Sequence, residues 1–413
     1  MTHIYRHLEN HIQETLNRGQ SILLLGPRQT GKTTLIKKLK PDLYLSLLQP
    51  KTRLLYEKNP NRLLEEVESL HDAKLSSTTH SLPLIIIDEI QKNPELLDSV
   101  QLLIDDEKAQ FLLTGSSARK LRHKTVNWLP GRIIILRLDP ILLSEWKIEP
   151  KPKLCTDEFL LELLLYGSLP RILKTINPKH RTEDLRSYVI TYLEEEIRQE
   201  AIVRKIGVFS RFLELAAAES GKIVNFSKLS QEIGVAHTTI ASYYEILEDC
   251  LIAERIEPLT FSNTRRRLIK SPRYLFFDLG VRRVAAQEGI DLPRENLGHC
   301  LESWVGLELL RILRLKCLYA KLNFWRDVDT GAEIDWIITS AQLWIPIEVK
   351  WDTDPDRSKI KHLQFLKSLY PDKIKTSYIV CRTPRRAKIA EHIYALPWFE
   401  LDSIFSDHPE ILS

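Results

Sequence analysis

The apolar run Ser21-Ile22-Leu23-Leu24-Leu25 breaks into Gly26-Pro27-Arg28-Gln29-Thr30-Gly31-Lys32-Thr33, and Thr34 opens a helical stretch to Leu39. No other feature narrows the fold as far. The eight residues fit G-x-x-x-x-G-K-[ST] with a strand before and a helix after, the setting that gives this pattern its meaning. Glycines let backbone N–H groups wrap phosphate oxygens, and the positive end of the following helix adds to the attraction. Lys32 is expected on the β- and γ-phosphates of ATP and Thr33 on Mg²⁺. Gly26, Pro27, Arg28, Gln29, Thr30, Gly31 and Thr34 complete the cradle.

A unit of this kind needs further buried parallel strands. Leu43–Leu47, Leu84–Ile87, Phe111–Thr114 and Ile133–Leu138 supply four more short apolar runs between polar helical stretches, so a five-stranded α/β unit is expected. The third run ends in Asp88-Glu89; Asp88 would hold Mg²⁺ through water and Glu89 would polarise the attacking water. Away from the phosphate loop the same pair is only a strand end with exposed acids. The fourth run ends in Thr114-Gly115-Ser116-Ser117, and Leu129-Pro130-Gly131-Arg132 precedes the fifth.

These elements resemble AAA+ ATPases. The resemblance implies that Ser116, in preference to Thr114, senses the γ-phosphate, and that Arg132 reaches the γ-phosphate of a neighbouring subunit in a homo-oligomer. An ordinary turn and a surface Arg salt-bridged near its strand are the plain alternatives. Arg171, in Gly167-Ser168-Leu169-Pro170-Arg171, fits a second sensing arginine from a helical lid.

At 413 residues the chain exceeds one hydrophobic core, so two to three domains are expected, and the pattern along the chain divides it at 1–150, 151–263 and 264–413. The middle turns helical. Val224–Val235, with Ser227 as the expected cap and Gly234 as the stop, followed by Ala236–Asp249 and Leu251–Leu259, reads as a winged helix. The outward face of its second helix offers His237, Thr238, Ser242, Glu245 and Glu248, a set too acidic for base reading. Arg265, Arg266, Arg267, Lys270 and Arg273 would grip phosphates non-specifically or form a solvated linker.

After Pro272 strand signals return, at Phe324–Arg326, Glu333–Thr339, Leu343–Lys350 and Ser377–Cys381. Glu348 and Lys350 lie two apart on a strand and share a face. With Ala341-Gln342 as a two-residue turn, Asp335 stands opposite Glu348. The trio resembles the PD-(D/E)XK, restriction-endonuclease-like core, in which the two acids hold Mg²⁺ and the lysine orients water. Glu302 sits where that fold carries a further acid, and Glu333 lies outside the set. A structural Asp–Lys bridge, or a nuclease fold that no longer cuts, fits the same residues.

In order, these pieces resemble archaeal and bacterial AAA+ ATPases that carry a C-terminal domain of unknown function. The expected fold is α/β: a P-loop AAA+ domain, a helical lid with a winged helix, and a restriction-endonuclease-like domain. Fifty-nine Lys and Arg against 55 Asp and Glu leave a net charge of +4, too little to argue nucleic-acid binding by itself. The scattered Cys155, Cys250, Cys300, Cys317 and Cys381 suit reduced thiols, and a cytoplasmic, membrane-free chain is expected. Two functions remain open: an ATPase coupled to processing of nucleic acid such as DNA, or a nucleotide switch whose nuclease-like unit only binds a partner.

Overall fold

A computed structural model describes residues 4–76, 81–117, 129–146, 156–193, 206–260, 269–316, 319–355 and 360–412. Arg265, Arg266 and Arg267, with Cys155 and Cys317, lie outside the described residues; Cys250, Cys300 and Cys381 are buried free thiols.

The N-terminal unit runs α1 (Leu8–Asn17), β1 (Ser21–Leu25), α2 (Lys32–Ile36), β2 (Leu43–Ser46), α3 (Pro50–Lys58), α4 (Arg62–Leu75), β3 (Leu84–Asp88), α5 (Leu96–Asp105), β4 (Gln110–Gly115) and β5 (Ile133–Arg137). All neighbouring strands are parallel, in the order β2-β3-β4-β1-β5. Because strand side chains alternate, Leu23, Ile85, Ile87, Phe111 and Leu113 build one core, while Ile22, Leu24, Ile86 and Leu112 build another on the opposite face. The chain reverses its order around β1. That is where doubly wound sheets open a crevice at their C-terminal ends.

The middle is helical: α6 (Asp157–Tyr166), α7 (Pro170–Lys174), α8 (Pro178–Tyr188), α9 (Ile206–Ala218), α10 (Phe226–Ile233) and α11 (His237–Asp249). Asn225, not Ser227, caps α10 by accepting from the Lys228 amide at 3.0 Å, and Gly234 ends it in the left-handed region at φ 74°. β6 (Ala253–Ile256) pairs antiparallel with β7 (Arg273–Phe276), and α12 (Leu279–Ala285) follows. Two expectations change here. Glu248 turns inward to accept from the Tyr274 hydroxyl at 3.1 Å, leaving His237, Thr238, Ser242 and Glu245 exposed. Arg273 is no solvated linker cation, since it is 3% exposed within β7.

The C-terminal unit comprises α13 (Arg294–Lys316), β8 (Lys321–Arg326), β9 (Glu333–Thr339), β10 (Trp344–Val349), α14 (Lys361–Leu369), β11 (Ser377–Cys381), β12 (Ala387–Ala390), β13 (Ile393–Pro397) and α15 (Ser403–Asp407). β8, β9 and β10 form an antiparallel meander, and α14 crosses over so that β11 lies parallel to β10. β13 and β12 extend the sheet beyond the four expected strands.

The units are joined by ion pairs between buried carboxylates and half-buried arginines. Asp139, just past β5, accepts from Arg314 of α13 at 3.1 Å and pairs with Arg137 at 3.0 Å; Arg314 also reaches Glu254 of β6 at 2.5 Å. Burial alone would raise the Asp139 carboxyl. Arg314, Arg137 and Arg311 outweigh that and hold it down at about 2. Among the described residues no helix is long and apolar enough to cross a membrane.

Candidate functional site

At the C-terminal ends of β1 and β3 lies a cavity of about 620 Å³, lined in part by Lys32, Thr33, Thr34, Glu89, Arg171 and Lys174. The loop that walls it depends on two glycines. A Cβ on Gly26 would stand 2.4 Å from the Leu138 carbonyl oxygen, and Gly31 has φ 101°, a left-handed backbone that other residues adopt only with strain. Lys32 folds back over the loop, donating to the carbonyls of Gly26 at 2.6 Å and Pro27 at 3.1 Å. Thr30 donates to Pro27 O at 2.8 Å, and Arg28 and Gln29 line the cavity.

The acid pair meets this loop from the neighbouring strand end. Asp88 accepts from the Thr33 hydroxyl at 3.3 Å, the Tyr44 hydroxyl at 3.2 Å and the Thr114 hydroxyl at 2.6 Å. Burial, and then the Asp88 charge, pushes the Tyr44 phenol up to about 12, so it stays a donor. Glu89 is 7% exposed and sits in the left-handed region at φ 62°. Its carboxylate accepts from the Gln91 amide and, at 3.3 Å, from Ser116, while Gln91 also donates to Ser116 at 3.0 Å. Thr114 accepts from the Glu89 amide at 2.9 Å. Sequence reasoning missed Tyr44 and Gln91. Gln91 was within reach, two residues beyond the acid pair, whereas Tyr44 has no motif.

Arg132 does not line this cavity; within the chain it is bound to Asp105 of α5, at 2.9 Å in one of its two contacts. That hydrogen bond holds the Asp105 carboxyl below its ordinary range. Trp128, beside that turn, lies outside the described residues. Arg171 faces the cavity and pairs with Asp184 at 2.8 Å.

The second cluster lies between α13, β9 and β10. β9 and β10 pair Trp336 with Ile347, so the next pair on that register is Asp335 and Glu348. Lys350 Nζ is 2.6 Å from Glu348 Oε2 and 3.8 Å from Asp335 Oδ2, and the Val349 amide donates to Asp335 at 2.7 Å. Glu348 Oε1 is buried without a hydrogen-bond partner. Arg273 enters from β7. It reaches Glu302 at 2.6 Å, pairs with Glu333, donates to the Asp335 carbonyl at 3.3 Å, and lies 4.6 Å from the Phe324 ring centre. Glu333 is therefore tied to Glu302 through one guanidinium.

Burial, and then the Asp335 charge, raises Glu302 and Glu348 to about 8 each. Burial opposes the Lys350 charge, but Asp335 and Glu348 outweigh it and hold the ammonium above its usual range. Among the described residues no group of three or more His, Cys, Asp and Glu is placed to hold a metal.

Residues 18–147 match a family model described as an AAA domain. The N-terminal unit is an AAA domain. Beyond this AAA domain, residues 157–291 and 297–401 match two models described as domains of unknown function, DUF8612 and DUF4143. The uncharacterized protein Rv2008c of Mycobacterium tuberculosis is 25% identical over 357 residues, covering 84% of this chain and 74% of its own length, and Mb2031c of Mycobacterium bovis matches equally. Among solved structures, C. elegans PCH-2 is 15% identical with a TM-score of 0.24 over 59% of this chain and 65% of that one. The Pif1 helicase of Candida albicans is 11% identical with a TM-score of 0.24, over 46% and 48% of the two chains. Protein VC1899 of Vibrio cholerae is 11% identical with a TM-score of 0.22, over 95% and 98%. Overlaps this loose add nothing to the fold.

Proposed function

We propose that the chain is a Mg²⁺-dependent ATPase whose AAA domain is coupled to a restriction-endonuclease-like unit acting on nucleic acid. The observation that carries the ATPase is the Thr33 hydroxyl, which lines the cavity together with Lys32 and Glu89, lying 3.3 Å from the buried Asp88. Thr33, and Asp88 through water, would hold a phosphate-bound Mg²⁺, and that ion would draw charge from the β- and γ-phosphates. Lys32 leaves its carbonyl partners to meet the phosphates. Glu89, freed from Gln91, takes a proton from water, and Ser116, on the same carboxylate, reports the γ-phosphate. Arg132 would act in a neighbouring copy only after leaving Asp105, which makes an oligomer part of this reading.

Titration with ATP–Mg²⁺ tests it. Lys32→Ala should lose measurable binding, and Glu89→Gln should bind but not turn over; wild-type affinity in Lys32→Ala ends the assignment.

The order of α13, the β8–β10 meander, α14 and parallel β11 supports a restriction-endonuclease-like fold, and the orphaned Glu348 oxygen supports a cation beside Asp335. Mg²⁺ there would polarise a phosphodiester oxygen, with Lys350 orienting water and Glu302 acting on either. The α10–α11 pair with β6 and β7 supports a winged helix whose exposed face suits protein contact better than base reading. A second reading, a nucleotide switch with a silent C-terminal unit, is favoured by Arg273 and Lys350, which already pair with Glu302 and Glu348.

A further inference from the structure

Arg6 precedes the phosphate loop by 20 residues and belongs to no motif. It is nonetheless 7% exposed. Its guanidinium donates in three directions: to Glu145 Oε2 at 2.9 Å, to the Thr30 carbonyl at 2.8 Å, and to the carbonyls of Asp139 at 2.6 Å and Pro140 at 3.5 Å. Glu145, 2% exposed, is itself held by the amides of His7 at 2.7 Å and Leu142 at 3.1 Å. A planar fork pinned on three sides cannot be copied by an ammonium.

Thr30 is the residue whose carbonyl begins the Thr30–Gly31 peptide. In a trans peptide the C=O and N–H point opposite ways. Drawing the Thr30 carbonyl onto Arg6, on the buried side, turns the Gly31 N–H toward the cavity that Gly31 lines. Gly31 is free to rotate and has no side chain to fix it, so without a brace this amide would have to be ordered when a ligand arrives, at the cost of affinity. Glu145 neutralises the Arg6 charge, which keeps Arg6 from acting as a phosphate ligand itself.

We infer that Arg6, held by Glu145, is a positioning residue for the phosphate loop: it fixes the Thr30–Gly31 peptide so that the Gly31 amide faces a nucleotide phosphate before the nucleotide binds. The inference rests on the ATP-binding reading above. Neither residue lines the cavity.

ATP–Mg²⁺ is titrated into the wild-type chain, Arg6→Lys, and the double variant Arg6→Met with Glu145→Met, with thermal unfolding and steady-state hydrolysis recorded alongside. The double variant replaces the ion pair with apolar volume and leaves no unpaired buried charge, and thermal unfolding reports whether it keeps its fold. It should still bind ATP about tenfold more weakly, the size of one hydrogen bond to a charged group. KM should rise in step while kcat at saturation changes less than twofold, a split that a merely structural residue would not produce. Wild-type Kd in a folded double variant overturns the inference; if that variant does not fold, wild-type Kd in Arg6→Lys overturns it. A wild-type chain that binds no ATP removes the nucleotide reading and this inference together, whereas wild-type affinity in the variants removes only the latter.

Discussion

Glu348 shows how much one side chain's surroundings decide. Burial leaves its Oε1 without a partner and raises the group to about 8, as it does Glu302. A carboxyl raised in the folded state holds its proton there while the unfolded chain has released it. Its contribution is full below about pH 4.5 and is lost as pH climbs through 8. Unfolding free energy should therefore fall across that window by up to about 1.4 kcal/mol per pH unit for each such group. Glu348→Gln should flatten the slope in urea titrations at pH 5 and 8; an unchanged slope removes Glu348 as its source. Mn²⁺ should bind the wild type more tightly at pH 8 than at pH 6 with release of protons, and support cleavage of labelled DNA. Proton-coupled binding without cleavage of single or double strands leaves the switch reading. The acids and Lys350 were legible as residues because strand period and turn length put them on one face. Arg273 was not, since its partners lie 29 and 60 residues on and no local pattern announces such a pair.

At the scale of elements, α13 meets β9 through a missing side chain. A Cβ on Gly306 would lie 2.5 Å from the Trp336 ring, and that indole donates to the Glu302 carbonyl at 3.0 Å. The helix is thus seated by one glycine four residues past its acid. Alanine there gains about 1 kcal/mol of helix propensity. Forcing a buried ring aside costs about 1–3 kcal/mol, so Gly306→Ala should be net destabilising and should shift Trp336 fluorescence. A more stable variant with unchanged emission would show that the ring yields freely. The five parallel strands were readable because buried parallel strands are apolar throughout, and the register of β9 on β10 followed from a two-residue turn. β12 and β13 escaped notice. β12, Ala387–Ala390, is half exposed and carries little apolar alternation, whereas β13, Ile393–Pro397, is a short, mostly buried apolar run that ends in a proline.

Across the whole molecule, Asp139 and Glu254 share Arg137 and Arg314, which ties β5, β6 and α13 together at one point. The Asp139 carboxyl is depressed to about 2, so its contribution is complete above pH 4 and is lost as pH falls toward 2. Asp139→Asn leaves Arg137 and Arg314 short of a counter-charge and should cost about 3–5 kcal/mol in urea unfolding near pH 7. A loss under about 1 kcal/mol would mean that Glu254 alone holds the joint. Such joints were invisible beforehand, because Asp139 and Arg314 are 175 residues apart. The sheet order β2-β3-β4-β1-β5 also has a consequence during synthesis. β1 leaves the ribosome before the other four strands of its sheet, yet both its neighbours, Gln110–Gly115 and Ile133–Arg137, are the last two of the five. At about 5–20 residues per second, its Ile and Leu side chains wait roughly 5–20 s for a partner, long enough for a nascent chain to need shielding from its own kind.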